Sequence, residues 1–528
     1  MRDLIFVSLE PWDEIWRRNQ FLCAELAQRF PSHRLLFVAR PLFLPFLLRS
    51  FLRSTKSSGA RLATLRASVK NRFRPVQGHP NLSVYTPLKW FPNPLPGARA
   101  WNEASMTRGI RRAAKQAGVR DPLLWLNPHD AGFLIDHLGE RGVVYDITDD
   151  WELAAPDGPA RTRIADEDRA LCRRADLTVV CSQALFDSRK KVARRLLLLP
   201  NGVNADHYAR TIQSDPRPPG RFSLDGTFAP TSSGVSVASN SSATAPTATA
   251  PTSGSNATPG IGGKEWPRPV FGYTGSLHRE RIDLELVEQL AKRFPRGSIV
   301  IVGPQHWSDG SLARALQKHP NLHAPGAVAY ASIPEVMARF DVCIVPHLCS
   351  EFVESLNPIK LWEFLACGKP IVSTDVAGFR DFPGLVRLAK DAPAFLEACR
   401  EALQEVNACA VTMASEETKT TQLSGNGANH NDTYATNSGS PATQTRNEQE
   451  LFDDISASFY RNGTIAANSP AIRCLVLERQ REARHHSWSK RVDELLRVWR
   501  DMDLTGEKTE ATLETKAPVA ISASEEKR

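Results

Sequence analysis

The segment NPIKLWEFLACGKPIV, residues 357–372, combines helix signals with charged side chains that suit the binding of a diphosphate. Asn357 is a favourable N-cap, and Pro358 is suited to the first helical position. Gly368 fits the position just beyond the helix C-terminus. The sequence therefore predicts a helix whose free N–H groups and positive dipole end attract an anion.

Two charged residues of this helix lie on one face. Lys360 occupies the first turn, where a cation opposes the helix dipole, and Glu363 follows three residues later. An anionic ligand nearby would explain the position of the lysine. The alternative interpretation is a well-capped helix with a Lys360–Glu363 pair that contributes about 0.3 kcal/mol.

A second group of polar residues follows predicted strands in the first half of the chain. His129 comes after the strand WLNP, and Asp146, Asp149 and Asp150 belong to or follow the strand VVYDIT. We predict that Asp149 or Asp150 orients an acceptor hydroxyl and that His129 assists near the reacting group. The alternative is that the aspartates cap loops and that the histidine lies on the surface.

Asp166 and Asp168 have the spacing of a DxD metal motif. They fall within the polar helix IADEDRALCRRA, where a solvated face is the better interpretation. We therefore predict no metal site.

The elements that position these residues alternate between strands and helices. Apolar runs bounded by turn residues indicate strands that are buried on both faces, as in a parallel sheet. The first half, residues 1–210, contains predicted strands at 4–9, 122–127, 142–148, 177–182 and 195–202, and another that ends at Arg40. The second half, residues 266–405, contains predicted strands at 270–276, 298–304, 340–346 and 369–375, and predicted helices at 282–294, 310–318, 332–339 and 358–367.

Polar stretches separate these regions. Residues 214–264 and 408–450 are rich in small and polar residues, which cannot bury enough apolar surface to offset the entropy of ordering. We predict a disordered linker, a disordered insertion and a disordered tail at 503–528, with closing helices at 470–502. The fold class is α/β, with two Rossmann-like domains that face each other across a cleft. Ligands of such sheets bind at the carboxyl ends of the strands.

The helix segment resembles the donor-binding helix of the group 1 family of retaining glycosyltransferases, in particular a subgroup that reads NPxKxxEYxAxGxP. Four further segments are similar to the family's patterns and extend the resemblance over most of the chain outside the polar stretches. They are LPNGVNADHY (199–208), FGYTGSL (271–277), VYDITDDW (144–151) and REARHHSW (481–488). The resemblance implies a GT-B fold and a nucleotide-sugar donor held by the C-terminal domain.

The resemblance also implies roles for individual residues. Glu363 would bind the donor ribose, and the backbone of Asn357, Pro358 and Ile359 would contact the diphosphate. Gly275 would approach the phosphates closely.

The chain departs from the family's pattern at two positions. Ser276 stands where relatives often carry arginine, so Arg281, Lys360 and Arg279 would compensate the phosphate charge. Ser355 stands where many relatives carry a first glutamate, although the NPxK subgroup commonly lacks it.

The implied reaction is a retaining, metal-independent transfer of the hexosyltransferase type, without a cofactor. The leaving phosphate can accept the proton of the acceptor hydroxyl, so the protein supplies mainly position and positive charge. The expected acceptor is a glycan or a lipid-linked molecule in cell-envelope or exopolysaccharide synthesis. Two alternatives remain, a nucleotide-sugar epimerase on the same fold and a non-catalytic sugar-nucleotide-binding protein.

The charge of the chain is unevenly distributed. The net charge is +8, and residues 26–102 contain thirteen Lys or Arg but no Asp or Glu. Within this region, PLFLPFLLRSFLRSTK at 41–56 mixes large apolar groups with cations, which predicts contact with an anionic membrane surface. An amphipathic core helix is the alternative. Without a transmembrane segment or signal peptide, the expected location is the cytoplasm or the inner face of the membrane. No motif for nucleic-acid binding is present.

Overall fold

A computed structural model describes residues 1–46, 49, 71–208, 220–222, 228–230, 266–407, 470–502 and 520–521. Of the segment at 41–56, only residues 41–46 and 49 are described. The predicted linker at 214–264, apart from residues 220–222 and 228–230, lies outside the described residues. The insertion at 408–450 also lies outside the described residues, as does the tail at 503–528 apart from residues 520–521.

The first domain is built on a nine-stranded sheet in which only the edge strand β4 runs antiparallel to its neighbour. The central strands are buried along their whole length, as expected for strands covered on both faces. In spatial order the strands are β19 (Ala520–Ile521), β10 (Leu196–Leu198), β9 (Leu177–Val180), β8 (Gly142–Ile147), β7 (Leu123–Leu126), β1 (Leu4–Val7), β2 (Leu35–Val38), β5 (His79–Tyr85) and β4 (Phe73–Val76).

Helices and two short strand pairs complete this half of the chain. The helices are α1 (Arg18–Arg29), α2 (Ala98–Ala117), α3 (Trp151–Ala154), α4 (Pro159–Arg174), α5 (Gln183–Arg189) and α6 (Ala205–Tyr208). The strands β3 (Leu42–Phe43) and β6 (Leu88–Lys89) pair in parallel. The strand β11 (Gly220–Phe222) pairs antiparallel with β12 (Phe228–Pro230), and Phe222 packs in the core of the second domain.

The second domain is built on a six-stranded parallel sheet. Its predicted strands and helices are confirmed to within about two residues at each end. The strands are, in spatial order, β15 (Leu322–Gly326), β14 (Ser298–Val302), β13 (Val270–Thr274), β16 (Val342–Val345), β17 (Ile371–Thr374) and β18 (Arg387–Ala389). The helices are α7 (Leu284–Arg293), α8 (Ser311–Lys318), α9 (Ile333–Ala338), α10 (Glu351–Glu354), α11 (Ile359–Cys367) and residues 392–407.

The closing segment consists of two helices that serve different domains. The first, α12 (Pro470–His485), contacts α11 of the second domain. The second, α13 (Trp488–Asp501), adds its buried apolar residues to the core beneath the first sheet. There the ring centroid of Trp499 lies 5.8 Å from that of Trp125.

The chain crosses between the domains twice, and the two crossings lie side by side. The N–H of Val203 donates to the carbonyl of His486, and the N–H of Trp488 donates back to the carbonyl of Val203. A side chain at Gly202 would collide with this backbone, because its Cβ would come within 2.9 Å of the Trp488 nitrogen. Within the described residues, no helix is both long and apolar enough to cross a membrane.

Two predictions about local structure are wrong. The helix of the NPxK segment begins at Ile359, so Pro358 rather than Asn357 occupies the N-cap position. Asp168 does not lie on a solvated face of α4, because the hydroxyl of Tyr145 donates to it at 2.6 Å and Arg189 binds it at 3.0 Å. Both partners come from other elements of the first domain, which the local sequence of α4 does not reveal. Asp166, by contrast, is exposed.

Candidate active site

The N-terminus of α11 is fixed against the first domain. Asn357 is diverted from capping because its side-chain oxygen accepts from the N–H of Asn201 at 2.8 Å, while its carbonyl accepts from the Asn201 side chain at 2.5 Å. The hydroxyl of Ser182 donates to the carbonyl of Ser355 at 2.6 Å. Ile359 packs against the core of the first domain. The predicted diphosphate-binding end of the helix therefore lies at the junction of the two domains.

Gly275 and Lys360 meet at the carboxyl end of β13. The glycine has φ +146°, and a Cβ built on it would lie 1.7 Å from Cε of Lys360. Any larger residue would therefore displace the lysine and strain the turn. The backbone of the glycine turn and the lysine are thus brought together, as a diphosphate site requires. Pro358 also lies against a glycine, since its Cδ is 3.0 Å from the position of a Gly378 Cβ.

The surroundings of Lys360 favour loss of its proton. Burial lowers the pKa of its ammonium group to about 8, and the positive charges of Arg281 and Arg17 act in the same direction. The nitrogen lies 5.6 Å from the ring centroid of Tyr273, whose hydroxyl contacts Nε2 of His347 at 3.2 Å. Burial lowers the pKa of His347 to about 3, so this imidazole is neutral at pH 7. An anionic ligand would raise the pKa of the lysine back towards its ordinary value.

Arg281 connects the two domains. Its Nη2 lies 2.9 Å from Oδ1 of Asp149, and both side chains remain partly exposed. The guanidinium also lies over the ring of Phe352, 5.5 Å from the centroid. The predicted phosphate-binding residue and the predicted acceptor-orienting residue are therefore in direct contact.

Glu363 lies one turn further along α11 and accepts a hydrogen bond from the hydroxyl of Tyr208 at 2.9 Å. Burial raises the pKa of Glu363, while Lys360 and the tyrosine hydroxyl oppose that shift. Tyr208 ends α6, which follows the first crossing between the domains. The second oxygen of the carboxylate has no protein partner recorded among the described residues, so it is suited to a ligand hydroxyl.

The other predicted donor residues are less closely associated with this group. Arg279 has 69% of its side chain exposed and pairs with Asp309 at 3.1 Å, on the outer side of the glycine turn. Ser276, next to Gly275, is half-buried. The structure thus brings together Gly275, Lys360 and Arg281, whereas Arg279 points to another partner.

Asp150 and Asp149, although adjacent in the chain, have different partners. The carboxylate of Asp150 caps α3 through the N–H of Leu153 and binds Arg189 at 2.9 and 3.4 Å. Its side chain is almost completely buried. Its oxygens are therefore occupied by a structural network, and only Asp149 reaches the arginine of the second domain.

His129 is held at the carboxyl end of β7. Its Nδ1 lies 3.1 Å from an oxygen of Glu167, whose other oxygen binds Arg99 at 2.9 Å. This carboxylate orients the imidazole. The sequence did not indicate Glu167 as its partner.

Glu10 is a candidate that the sequence analysis missed. It follows β1 as Asp149 follows β8, and its Oε1 lies 3.5 Å from Nε of Arg17. Oε2 is buried and has no hydrogen-bond partner within the described structure. Burial raises the pKa of this carboxyl to about 7. The charge of Arg17 opposes the rise, and the charge of Asp149 adds to it. Its position after β1 was the available signal.

Glu10 and Asp149 of the first domain and Arg281 and Lys360 of the second are thus close enough to influence one another electrostatically. In the part of the chain that the structure describes, no cluster of three or more His, Cys, Asp or Glu has a geometry that would hold a metal ion.

The second sheet and its glycine turn are similar to those of a known protein family. Residues 268–405 match the family model of the group 1 glycosyl transferases. The fold is GT-B. The family match lies within the second domain of the chain.

Two solved structures and one sequence relative illustrate the likeness. The α,α-trehalose 6-phosphate synthase from Burkholderia multivorans has a TM-score of 0.51 at 11% identity, covering 96% of this chain and all of that one. The sucrose-phosphate synthase from Thermosynechococcus elongatus has a TM-score of 0.49 at 14% identity, covering 80% of this chain and all of that one. At 11% identity, the likeness to the trehalose 6-phosphate synthase shows a shared fold and nothing more.

The sequence relative is TuaH of Bacillus subtilis (strain 168), provisionally named a teichuronic acid biosynthesis glycosyltransferase. It is 29% identical over 107 residues, which are 20% of this chain and 27% of the relative. The matched region is therefore about a quarter of that protein's length.

Proposed function

We propose that the protein transfers a sugar from a nucleotide-sugar donor to a glycan or lipid-linked acceptor. The observation that carries this proposal is the contact of Lys360 with Gly275 at the N-terminal end of α11, with Arg281 nearby. A helix N-terminus, an open glycine turn and two cations are the elements that bind a diphosphate. Glu363, one turn along the same helix, would accept hydrogen bonds from the ribose hydroxyls.

The acceptor would bind on the opposite side of the cleft. Asp149 would orient its hydroxyl, and His129, held by Glu167, would assist near the reacting sugar. When the diphosphate binds, it competes with Asp149 for Arg281 and frees the carboxylate to accept from the acceptor. Donor binding would in this way prepare the acceptor site.

The proposed transfer is retaining, independent of a metal ion and of the hexosyl type, in keeping with the family resemblance. In such a transfer the acceptor oxygen forms its bond to the anomeric carbon on the face from which the diphosphate leaves. The anomeric C–O bond breaks, and a phosphate oxygen takes the proton. Lys360 and Arg281 would stabilise the negative charge that develops on the diphosphate.

The proposed setting is the synthesis of a cell-envelope polysaccharide, at the cytoplasmic side and close to the membrane. Support comes from TuaH, whose name refers to teichuronic acid biosynthesis. A second source of support is the acid-free stretch at residues 26–102, which favours an anionic surface as partner.

A panel of nucleotide sugars incubated with the full chain and candidate acceptors tests this function. A glycosylated product detected by mass spectrometry, with its anomeric configuration determined by NMR, supports the proposal. An isomerised donor without glycosylated product would indicate the epimerase instead. Donor binding without any turnover across acceptors and hydrolysis assays would indicate a non-catalytic sugar-nucleotide-binding protein.

A further inference from the structure

Five large apolar side chains of the first domain are exposed in one stretch of its surface. Between 40% and 67% of each residue's surface is accessible. The pairing of β3 with β6 brings residue 46 towards residues 90 and 91, since Leu42 lies opposite Leu88 and Phe43 opposite Lys89. The five residues are Phe46, Trp90, Phe91, Leu95 and Trp101.

The backbone that presents these side chains is held rigidly from below. Asn102 is buried, and its side-chain oxygen accepts from the N–H groups of both Trp90 and Phe91 at 3.0 and 3.2 Å. Its side-chain nitrogen donates to the carbonyl of Phe91 at 2.9 Å. The turn is therefore fixed by three hydrogen bonds from one residue, although its apolar side chains remain in water. Burying apolar surface is favourable, so exposed aromatic residues on a rigid support indicate a partner.

The helix that follows extends this stretch with cations. Arg108, Arg112 and Lys115 lie seven, eleven and fourteen residues after Trp101 in α2, a spacing that places all four on one helix face. All three cations are exposed, and no ion pair of theirs is recorded within the described residues. Glu103, the one acidic residue of α2, is on the opposite face and binds Arg99. We call the five apolar residues and these three cations the α2 surface.

We propose that the α2 surface docks on an anionic lipid bilayer, with its aromatic residues in the interfacial layer and its cations against the headgroups. Trp and Phe beside cations are the side chains that favour this layer. The charge is complementary, because residues 26–102 contain no acid at all.

The α2 surface is connected to the candidate active site. Arg99, in the first turn of α2, binds Glu167, which in turn holds His129 at the carboxyl end of β7. A bilayer against α2 would therefore lie next to the side of the cleft where the acceptor is proposed to bind. This inference rests on the proposed function. It implies that the acceptor is a lipid-linked molecule that reaches the cleft from the membrane.

Vesicle co-sedimentation of the full chain tests the docking independently of transfer. We expect binding to vesicles of phosphatidylglycerol mixed with phosphatidylcholine, and much weaker binding to phosphatidylcholine alone. Changing Arg108, Arg112 and Lys115 to Gln should lower partitioning roughly a hundredfold at low salt, at about fivefold per cation, and less at high salt. An equal charge change at Arg173, Lys191 and Arg195, exposed cations elsewhere in the same domain, is the matched control.

Apolar variants complete the test. Changing Phe91, Leu95 and Trp101 to Ser should lower partitioning at least about tenfold at every salt concentration. Leu477→Ser, at a comparably exposed leucine of α12, should have no effect, and the single change Leu95→Ser gives a smaller loss if the triple variant does not fold.

Several outcomes would overturn the proposal. They are wild-type protein that stays in the supernatant with anionic vesicles, equal binding to both kinds of vesicle, or equal losses in the control variants. A surface that instead mediates self-association would reveal itself by a dimer that the triple Ser variant abolishes. Donor turnover with a soluble acceptor does not depend on binding to vesicles. Failure of the docking and failure of the proposed function can therefore be distinguished.

Discussion

Arg281 and Asp149 form an ion pair between the two domains, with Nη2 2.9 Å from Oδ1. The arginine belongs to the loop after β13, and the aspartate follows β8. In the proposed function a diphosphate competes for the same guanidinium, so this contact would couple donor binding to the acceptor side.

Asp149→Asn should strengthen the binding of a nucleoside diphosphate about fivefold. The diphosphate then no longer has to break an ion pair of Arg281 that contributes about 1 kcal/mol. The same variant should lower the rate of transfer, since the acceptor hydroxyl loses its carboxylate. Calorimetric titration with a panel of nucleoside diphosphates and steady-state kinetics measure the two effects. Asp157→Asn, at an exposed aspartate, serves as the control. Weaker diphosphate binding in Asp149→Asn would contradict the competition.

Glu363→Ala should weaken donor binding by about 1.5 to 3 kcal/mol, because a ribose hydroxyl loses a charged acceptor. Tyr208→Phe leaves the carboxylate in place and removes the hydroxyl that donates to it. It should therefore have a smaller effect on donor affinity. Both variants should keep the circular dichroism spectrum of the wild type. Unchanged nucleotide-sugar affinity and turnover in folded Glu363→Ala would remove this residue from the donor site.

Nucleoside diphosphate affinity should depend on the pH through Lys360. The pKa of its ammonium group is lowered to about 8 in the free protein, and a bound anion raises it again. Affinity should therefore be nearly constant below pH 8 and fall up to about tenfold per pH unit above it. Lys360→Gln should bind more weakly and lose this dependence, whereas Lys292→Gln, at an exposed lysine, should retain it. An unchanged pH profile in Lys360→Gln would assign the dependence to another group.

Glu10→Gln should stabilise the protein at pH 8 but not near pH 4.5. Burial raises the pKa of this carboxyl from 4.5 to about 7, so the folded state retains a proton that the unfolded state releases. Stability from this group is fully present below pH 4.5 and is lost as the pH rises through 7. The loss at pH 8 is roughly 3 kcal/mol.

Chemical denaturation of both proteins across this range measures the difference for Glu10. The variant Glu14→Gln, at an exposed neighbouring carboxylate, is the control. A difference between Glu10→Gln and wild type that stays constant from pH 4.5 to 8 would show that Glu10 does not titrate as expected.

Asp150→Asn should act on stability rather than directly on chemistry. It leaves the buried guanidinium of Arg189 with one carboxylate, that of Asp168, and should cost about 1 to 3 kcal/mol of folding free energy. Thermal unfolding measures this loss. Turnover of the protein that remains folded should stay within a few fold of wild type, and a large fall in turnover at unchanged stability would restore Asp150 as a catalytic candidate.

The strands and helices of the second domain could be predicted because each apolar run there is short, bounded by turns and followed by a helix. The chain between Arg40 and Pro122 gave no comparable signal. There β4 contains a proline, which suits its place at the edge of the sheet but weakens a strand pattern. The sequence of α2 is rich in alanine and arginine, and few of its residues are buried. Its exposed face, which the docking proposal uses, is the reason that its periodicity was weak.

The candidate site was partly predictable. The contact of Lys360 with Gly275 agrees with motif positions, because both segments lie at strand or helix ends that a GT-B sheet brings together. The partners of Asp150 and His129 were not predictable, since Arg189 and Glu167 come from helices far along the chain and only tertiary packing chooses them. Glu10 was accessible to the same reasoning as Asp149, because both follow a buried strand at its carboxyl end.

The packing of α13 on the first domain has a consequence for how the protein folds during synthesis. Trp488, Val492 and Trp499 complete the core beneath the first sheet, yet the ribosome makes them after the whole second domain. Until then, Trp125 and its neighbours lack part of their cover and present apolar surface to chaperones or to other chains. The two domains therefore cannot mature strictly in the order of their synthesis. A chain released before residue 488 should expose this surface and aggregate, even though every strand of the first sheet up to β10 is already made.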